Sequence, residues 1–550
     1  MSTDLLDIRQ ITGHRLARKF SIWRLLSLLV ATLVLVPIGV VLWSLLTPSS
    51  DIWEHLVVNV LPGVLNNTFW LVLGVGTGTA LLGVSLAWLT GVCEFPGQRF
   101  FAWSLLLPLA LPAYVMAFVA VGLLDFTGPV QTALRSWFGS VWFPPIRSRG
   151  GVILVMTLAL YPYVYLIARN AFLTQGKRAL EAAQSLGCSR RRAFFRVALP
   201  LARPWIVAGV ALVIMETLAD FGTVSVFNYD TFTTAIYKAW FSLFSLPAAL
   251  QLASVLILIV FAAIVLEQQT RTRIRYTQTG RPSPQHDRII LQGWSRWAAT
   301  LYCALILTVA FIIPVGQLLL WAAQVYAQDL DARYWGFLWH SLLLAGGTAL
   351  TASAVALIIA YAGRRHRDIA MRATNRLATL GYALPGPVLA VGVYAPVAWF
   401  DNLIIDGTRH YLHIEIGQVL GGTLLVMLLA YLARFLAVGY NPIDSHMQRI
   451  TTSVDDAAHI FGVRGFAMLR RVHLPMLKGG LLTAVTLVFV DVMKEMPITL
   501  MTRPFGWDTL AIRIFEMTAE GEWQRAALPA VALVLAGLIP ILLLTRNGDH

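Results

Sequence analysis

Charge is scarce in this chain. Only 13% of its 550 residues are Asp, Glu, Lys or Arg, where a soluble globular protein carries about 25%. Cysteine is scarcer still. Cys93, Cys188 and Cys303 are odd in number and far apart, and they form no C-x-x-C or Cys/His cluster. A disulfide framework or a structural zinc site is therefore excluded. No G-x-x-x-x-G-K-[ST] occurs; the nearest stretch, Gly176-Lys177-Arg178, lacks the upstream glycine and the hydroxyl that would ligate magnesium. The 11 histidines include no H-E-x-x-H, and no Ser/His/Asp or Cys/His arrangement is legible. An ordinary cytosolic enzyme, a disordered chain and a self-sufficient ATPase are all ruled out, and the chain is expected to hold no metal and no tightly bound cofactor.

What the chain has in quantity is apolar sequence, 57% of the total. A helix needs about 20 mostly apolar residues to cross a bilayer. Twelve such runs are legible: near 24–46, 65–90, 100–123, 151–173, 203–222 and 248–267, then 297–320, 339–362, 377–400, 417–440, 479–500 and 526–545. All are expected to be helical, since lipid offers no partner for open backbone groups. The first run is too long for a secretory h-region, and Thr47-Pro48-Ser49-Ser50 does not resemble a cleavage site, so it reads as a retained anchor. With the amino terminus inside, the inner segments hold 30 Lys and Arg and the outer ones 9, with Arg169, Arg434 and Lys494 within spans. That is the positive-inside distribution. Both termini are expected to be cytoplasmic, and the basic excess of +14 is topological rather than a nucleic-acid footprint.

The chain is also duplicated. Glu181-Ala182-Ala183-Gln184-Ser185-Leu186-Gly187 returns as Asp456-Ala457-Ala458-His459-Ile460-Phe461-Gly462, and Arg196-Val197-Ala198-Leu199-Pro200 as Arg471-Val472-His473-Leu474-Pro475, both at an offset of 275. Earlier pairs, Asn67-Thr68 with His340-Ser341 and Pro112-Ala113-Tyr114-Val115 with Pro385-Gly386-Pro387-Val388, lie at 273. The organisation reads as a first repeat 1–267, a charged cytoplasmic linker 268–296 and a second repeat 297–550. Six spans per half put both repeats in the same orientation, related by an axis along the membrane normal.

Between its fourth and fifth spans each half carries a basic cytoplasmic segment. Glu181 sits in the first turn of a short helix, where a carboxylate favours the macrodipole. Ala182 and Ala183 keep one face small, and Gly187 can take the left-handed conformation that ends the helix. A second amphipathic stretch closes at Leu199-Pro200. The segment is expected to be a rigid foot. The pattern Glu/Asp-Ala-Ala-x-x-x-Gly followed by Leu-Pro resembles the EAA signature of bacterial ABC importer permeases, and two permease copies in one chain resemble the fused ferric-iron importer permeases. Glu216-Thr217-Leu218-Ala219-Asp220-Phe221-Gly222, Asp230-Thr231-Phe232-Thr233-Thr234-Ala235-Ile236-Tyr237 and Lys494-Glu495-Met496-Pro497 resemble that branch too. The resemblance implies an all-α permease fold of about 12 spans and two docking feet on a separate ATPase, Glu181, Ala182, Ala183 and Gly187 in one, Asp456, Ala457, Ala458 and Gly462 in the other. It also implies a periplasmic binding protein, iron(III) as cargo, ATP and magnesium used by the ATPase dimer, and residence in the inner membrane.

The weakest runs, the fifth and eleventh, carry acids. Glu216 and Asp220 are four apart and should share a helix face; the repeat places Asp491 and Glu495 likewise. A charge at membrane depth costs about 2.5–3.5 kcal/mol and usually faces a cavity or a partner. Two readings stay open: four acids around the axis guide a hard cation toward the cytoplasm, or Asp220 and Glu495 lie at wetted span ends and Lys494 pairs with a neighbour. Tyr161, Tyr163 and Tyr165 read as interfacial anchors, Arg169 and Arg434 as snorkelling residues, and His410 and His413 as solvated. Thiamine or another small solute is the rival cargo. An ion-gradient transporter is the rival class; it accounts for the acids but not for the duplicated feet.

Overall fold

The computed structural model describes residues 21–47, 51–139, 142–176, 189–272, 288–366 and 368–547. Its regular elements are helices, apart from one short parallel pairing of Cys93–Glu94 with Ile289–Ile290. Among the described residues ten helices are long and apolar enough to cross a membrane. An eleventh span results if Phe466–Met476 and Lys478–Lys494, bent by 78° at their break, count as one, and Trp523–Leu538 is a shorter apolar helix.

The departures from twelve uninterrupted runs have a cause in the sequence. The third run is broken into Gln98–Ser104, Leu107–Ala110 and Ala113–Leu124, because Pro108 and Pro112 lack the N–H that a continuing helix would need. The second repeat breaks in the same place, as Ile369–Ala378, Leu380–Ala383 and Gly386–Leu412, with Pro385 at the N-cap where the first repeat has Pro112.

By packing, the chain divides into two compact units. One comprises Pro48–Trp335 and Leu510–Leu535, the other Met1–Thr47, Gly336–Thr509 and Ala536–His550. Packing thus partitions the chain differently from the sequence repeat, whose boundaries describe the duplication.

Within the unit built mainly on the first repeat, helix Leu61–Val92 lies against Arg149–Ala171 through Gly74, Gly78 and Gly83. A Cβ at Gly83 would stand 2.8 Å from the Cβ of Val164. Small residues set this distance because lipid is as apolar as leucine, so close contact rather than burial holds the spans together. The broken third run is tied to the fourth span by two phenols: Tyr161 donates to the Leu105 carbonyl at 3.0 Å and Tyr165 to the Ala102 carbonyl at 3.0 Å. Both rings are fully buried, so they are internal tethers and not interfacial anchors. Arg525 grips Asp329 by three contacts of 2.9–3.0 Å. Residues at the end of the linker reach back to the loop after Val92, where Arg288 bonds Gln98 and the Leu291 N–H donates to the Glu94 carbonyl at 3.1 Å.

Within the other unit, the first apolar helix of the chain, Ile22–Trp43, packs along Gly386–Leu412, with Gly392 against the Pro37 carbonyl. The Trp23 ring meets Tyr361 edge-on at 4.7 Å. Helix Leu424–Arg449 packs on Lys478–Lys494. Here Asn375 donates to the Tyr440 hydroxyl at 3.3 Å, in the register that joins Ala102 to Tyr165 in the first repeat.

Candidate functional site

The second foot is formed as a helix, a turn and a second helix. Thr452–Ile460 is the foot helix. Gly462 then takes φ +74°, its N–H donates to the His459 carbonyl at 3.0 Å, and the Val463 N–H donates to the Ala458 carbonyl at 2.9 Å. This is the paired closure that a left-handed glycine makes possible. Asp456 and Ala457 are exposed, Ala458 is buried, and Ile460 and Phe461 stand 84% exposed at the tip. The foot therefore offers a charged and apolar end while Ala458 seats it. Of the other foot, Glu181, Ala182, Ala183 and Gly187 lie outside the described residues.

Residues distant in sequence hold this foot in place. Asp455, beside Asp456, accepts from Arg364 at 2.8 and 3.0 Å and lies 2.7 Å from Nε2 of His473. Arg364 also donates to the Met447, Ile450 and Thr451 carbonyls at 2.8–3.2 Å. Its side chain is only 7% exposed and that of His473 only 2%. The Tyr361 hydroxyl donates to the Gly465 carbonyl at 3.0 Å, which closes the base of the turn. One guanidinium thus gathers the end of the fourth span, the connecting loop and the first turn of the foot. Sequence reasoning missed it, because Arg364 reads as one more inner basic residue.

The acids of the fifth and eleventh runs occupy matching breaks. Helix Leu199–Ala219 stops one residue before Asp220, which is extended with ψ 131°, and helix Lys478–Lys494 stops before Glu495, with ψ 119°. The expected shared helical face therefore ends at the break. The reason is local. Each carboxylate caps the short helix that follows, and a carboxylate is favourable at the open N–H groups of a helix start. Asp220 accepts from the Thr223 hydroxyl at 2.9 Å and the Val224 N–H at 3.1 Å, ahead of Gly222–Val226. Glu495 accepts from the Ile498 N–H at 3.0 Å, ahead of Pro497–Thr502. Glu216 and Asp491 sit one turn earlier on their helices, half-buried.

Beyond the cap the two breaks differ. Glu495 lies 3.5 Å from Arg434, whose side chain is 13% exposed and also donates to the Leu384 carbonyl at 3.0 Å. Arg434 is thus an internal counter-charge and does not snorkel.

A further matched contact lies past each break. Asn67 donates to the Asp230 carbonyl at 3.1 Å, and the His340 ring, 273 residues on, lies 3.2 Å from the Asp508 carbonyl and stacks on Trp507 at 4.6 Å. The signal was present as Phe227-Asn228-Tyr229-Asp230-Thr231 against Phe505-Gly506-Trp507-Asp508-Thr509, where Asn228 and Gly506 both take positive φ. His410 and His413 are exposed, as expected. Among the described residues no three His, Cys, Asp or Glu side chains are grouped so as to hold a metal.

Duplicated apolar spans, an exposed foot helix and helix breaks capped by acids mark a polytopic transport permease. The family model for the binding-protein-dependent transport system inner membrane component matches residues 80–276 and again 352–547. The chain belongs to that family, in two copies, and is a multi-pass inner-membrane transport subunit served by a binding protein. It is 27% identical over 488 residues to a Fe(3+)-transport system permease protein of Haemophilus influenzae, covering 88% of this chain and 89% of that one. It is 23% identical over 452 residues to a ferric transport system permease protein of Actinobacillus pleuropneumoniae, covering 78% and 63%. A molybdenum transport system permease protein of Escherichia coli is 30% identical over 167 residues, 30% of this chain.

Proposed function

We propose that this chain carries iron(III), delivered by a periplasmic binding protein, through the inner membrane, and that it is driven by a separate ATPase pair engaged through two feet. The observation that carries the reading is the foot itself: an Asp-Ala-Ala-x-x-x-Gly helix with an exposed tip, tied by Arg364 into the body of its unit. A rigid link is what a lever requires. The ferric relatives, matched over 78–88% of this chain, support iron as cargo, while the molybdenum relative matches 30% of it.

In this reading ATP and magnesium are used on the partner ATPase, and this chain undergoes no covalent chemistry and binds no cofactor tightly. Closure of the ATPase dimer shifts the membrane portion outward-facing only to the extent that the closed dimer binds that state better. Both termini and the linker 268–296 lie in the cytoplasm, with repeats 1–267 and 297–550 each supplying one foot. Of the four acids Glu216, Asp220, Asp491 and Glu495, the last is balanced by Arg434, and the other three give the pathway a negative character that attracts a hard cation. No tight multi-ligand cage is needed, and one would stall the ion.

The test is reconstitution with the ATPase in proteoliposomes, adding binding proteins loaded with iron(III), molybdate or thiamine. Iron-loaded protein should stimulate hydrolysis and ATP-dependent uptake. Stimulation by another cargo alone contradicts iron, and uptake driven by an ion gradient without ATPase contradicts the class.

A further inference from the structure

A cavity of about 510 Å³ opens where the first helix begins, between Ile22–Trp43 and the helix Ile369–Ala378. Its lining is sorted by chemistry. Ser21 and Arg24 lie at the start of the long helix, Arg24 facing Asp368, while Leu25, Leu28 and Met371 supply apolar wall. Arg24 donates from Nη2 to Asp368 at 2.9 Å, and both side chains remain partly exposed. The Nε of Arg24 is buried and has no hydrogen-bond partner among the described residues. Asp368 also caps the second helix, accepting from the Met371 N–H at 3.4 Å.

The second helix marks the level of the site. It carries Arg372 and Arg376 on its exposed side, with Ile369 78% exposed at its start and Met371 and Ala378 buried. A short basic amphipathic helix of this kind lies in the plane of the headgroups. A partly exposed guanidinium, a carboxylate beside it and a leucine wall running into a membrane span together complement a zwitterion bearing hydrocarbon. The guanidinium suits a phosphate, which Arg binds through several donors at once. The carboxylate suits an ammonium that can donate hydrogen bonds, and the leucines suit an acyl chain.

We propose that this cavity binds a phospholipid whose headgroup joins a phosphate to a primary ammonium, that is, a phosphatidylethanolamine. A purely anionic lipid would set its charge against Asp368. A choline headgroup offers the carboxylate no N–H. The phosphate chemistry is shared with free inorganic phosphate, which lacks both the ammonium and the chain.

The experiment uses the full chain, purified in detergent and exposed to mixed vesicles with equal phosphatidylethanolamine, phosphatidylcholine and phosphatidylglycerol, with retained lipid read by native mass spectrometry. Phosphatidylethanolamine should dominate. Arg24→Gln should lower its retention about tenfold, the scale of one charge-assisted contact. Asp368→Asn should abolish its preference over phosphatidylcholine. Arg24→Lys keeps the charge without the planar set of donors, so it separates loss of the guanidinium from loss of folding, and its retention should fall between wild type and Arg24→Gln. Equal retention of the three lipids by the wild type, or unchanged retention in both Arg24→Gln and Asp368→Asn, overturns the proposal. Displacement of the lipid by millimolar inorganic phosphate overturns the lipid in favour of the free ion.

Discussion

The two repeats keep the same backbone plan but not the same charges. Arg364, Asp455 and His473 bind the second foot to its surroundings; at the offsets of 273 and 275 the first repeat has Gly91, Leu180 and Ala198. Arg434 and Lys494 accompany the acids of the second break, and the matching first-repeat positions are Ala159 and Ala219. Each repeat keeps a carboxylate cap, a left-handed residue in the loop beyond it and a side chain bonded to the same loop carbonyl. The difference teaches which features the fold requires and which were added to one copy. Caps, breaks and turns belong to the plan. Among the described residues, the buried pairs of Arg364 with Asp455 and Arg434 with Glu495 belong to the second repeat, so that half is expected to be held the more stiffly at its break.

The largest expected effect comes from removing the guanidinium of the foot. Arg364→Ala leaves three carbonyls without this donor and Asp455 with His473 alone, and should cost about 3 kcal/mol, the scale of a broken buried pair. A double-mutant cycle with Asp455→Asn, read by thermal unfolding, should give a coupling above about 1 kcal/mol; additive losses would remove the bolt from the account. The breaks come next. Glu495→Ala strands the buried Arg434 and should cost about 3 kcal/mol, whereas Asp220→Ala removes a cap worth about 1 kcal/mol. Equal losses would erase the distinction between the halves.

At the scale of transport, Glu216→Gln combined with Asp491→Asn should lower iron uptake about tenfold, equivalent to 1.4 kcal/mol, in normally inserted protein. Wild-type uptake would limit the acids to a structural role. The smallest effect is expected at the foot's turn. Gly462→Ala forces a side chain into φ +74° and should cost about 1 kcal/mol, visible as a small fall in unfolding temperature with the foot still formed.

Much of this was legible in sequence for a physical reason. Apolar length marks spans, and Gly462 marks the turn that ends its helix; the breaks at Asp220 and Glu495 left no such mark, because acids four apart read as one continuous helix face. Tertiary polar contacts left no such trace. Arg364 lies 91 residues from Asp455, and nothing in its neighbourhood separates a buried guanidinium from a loop arginine that satisfies the positive-inside rule. Arg434 was misread for the same reason, since its partner Glu495 is 61 residues away. Tyr161 and Tyr165 were misread because aromatic residues near span ends usually face headgroups, and only the broken third run supplies the carbonyls that bury them. The breaks at Pro108 and Pro112 were available in principle; apolar length alone outweighed them.

The central claim is that the feet transmit the work of an external ATPase to the membrane portion. The most direct measurement is binding-protein-stimulated ATP hydrolysis by the reconstituted complex carrying Glu181→Lys and Asp456→Lys. The account predicts that stimulation is lost while the permease stays inserted and folded. Stimulation at the wild-type rate would contradict it.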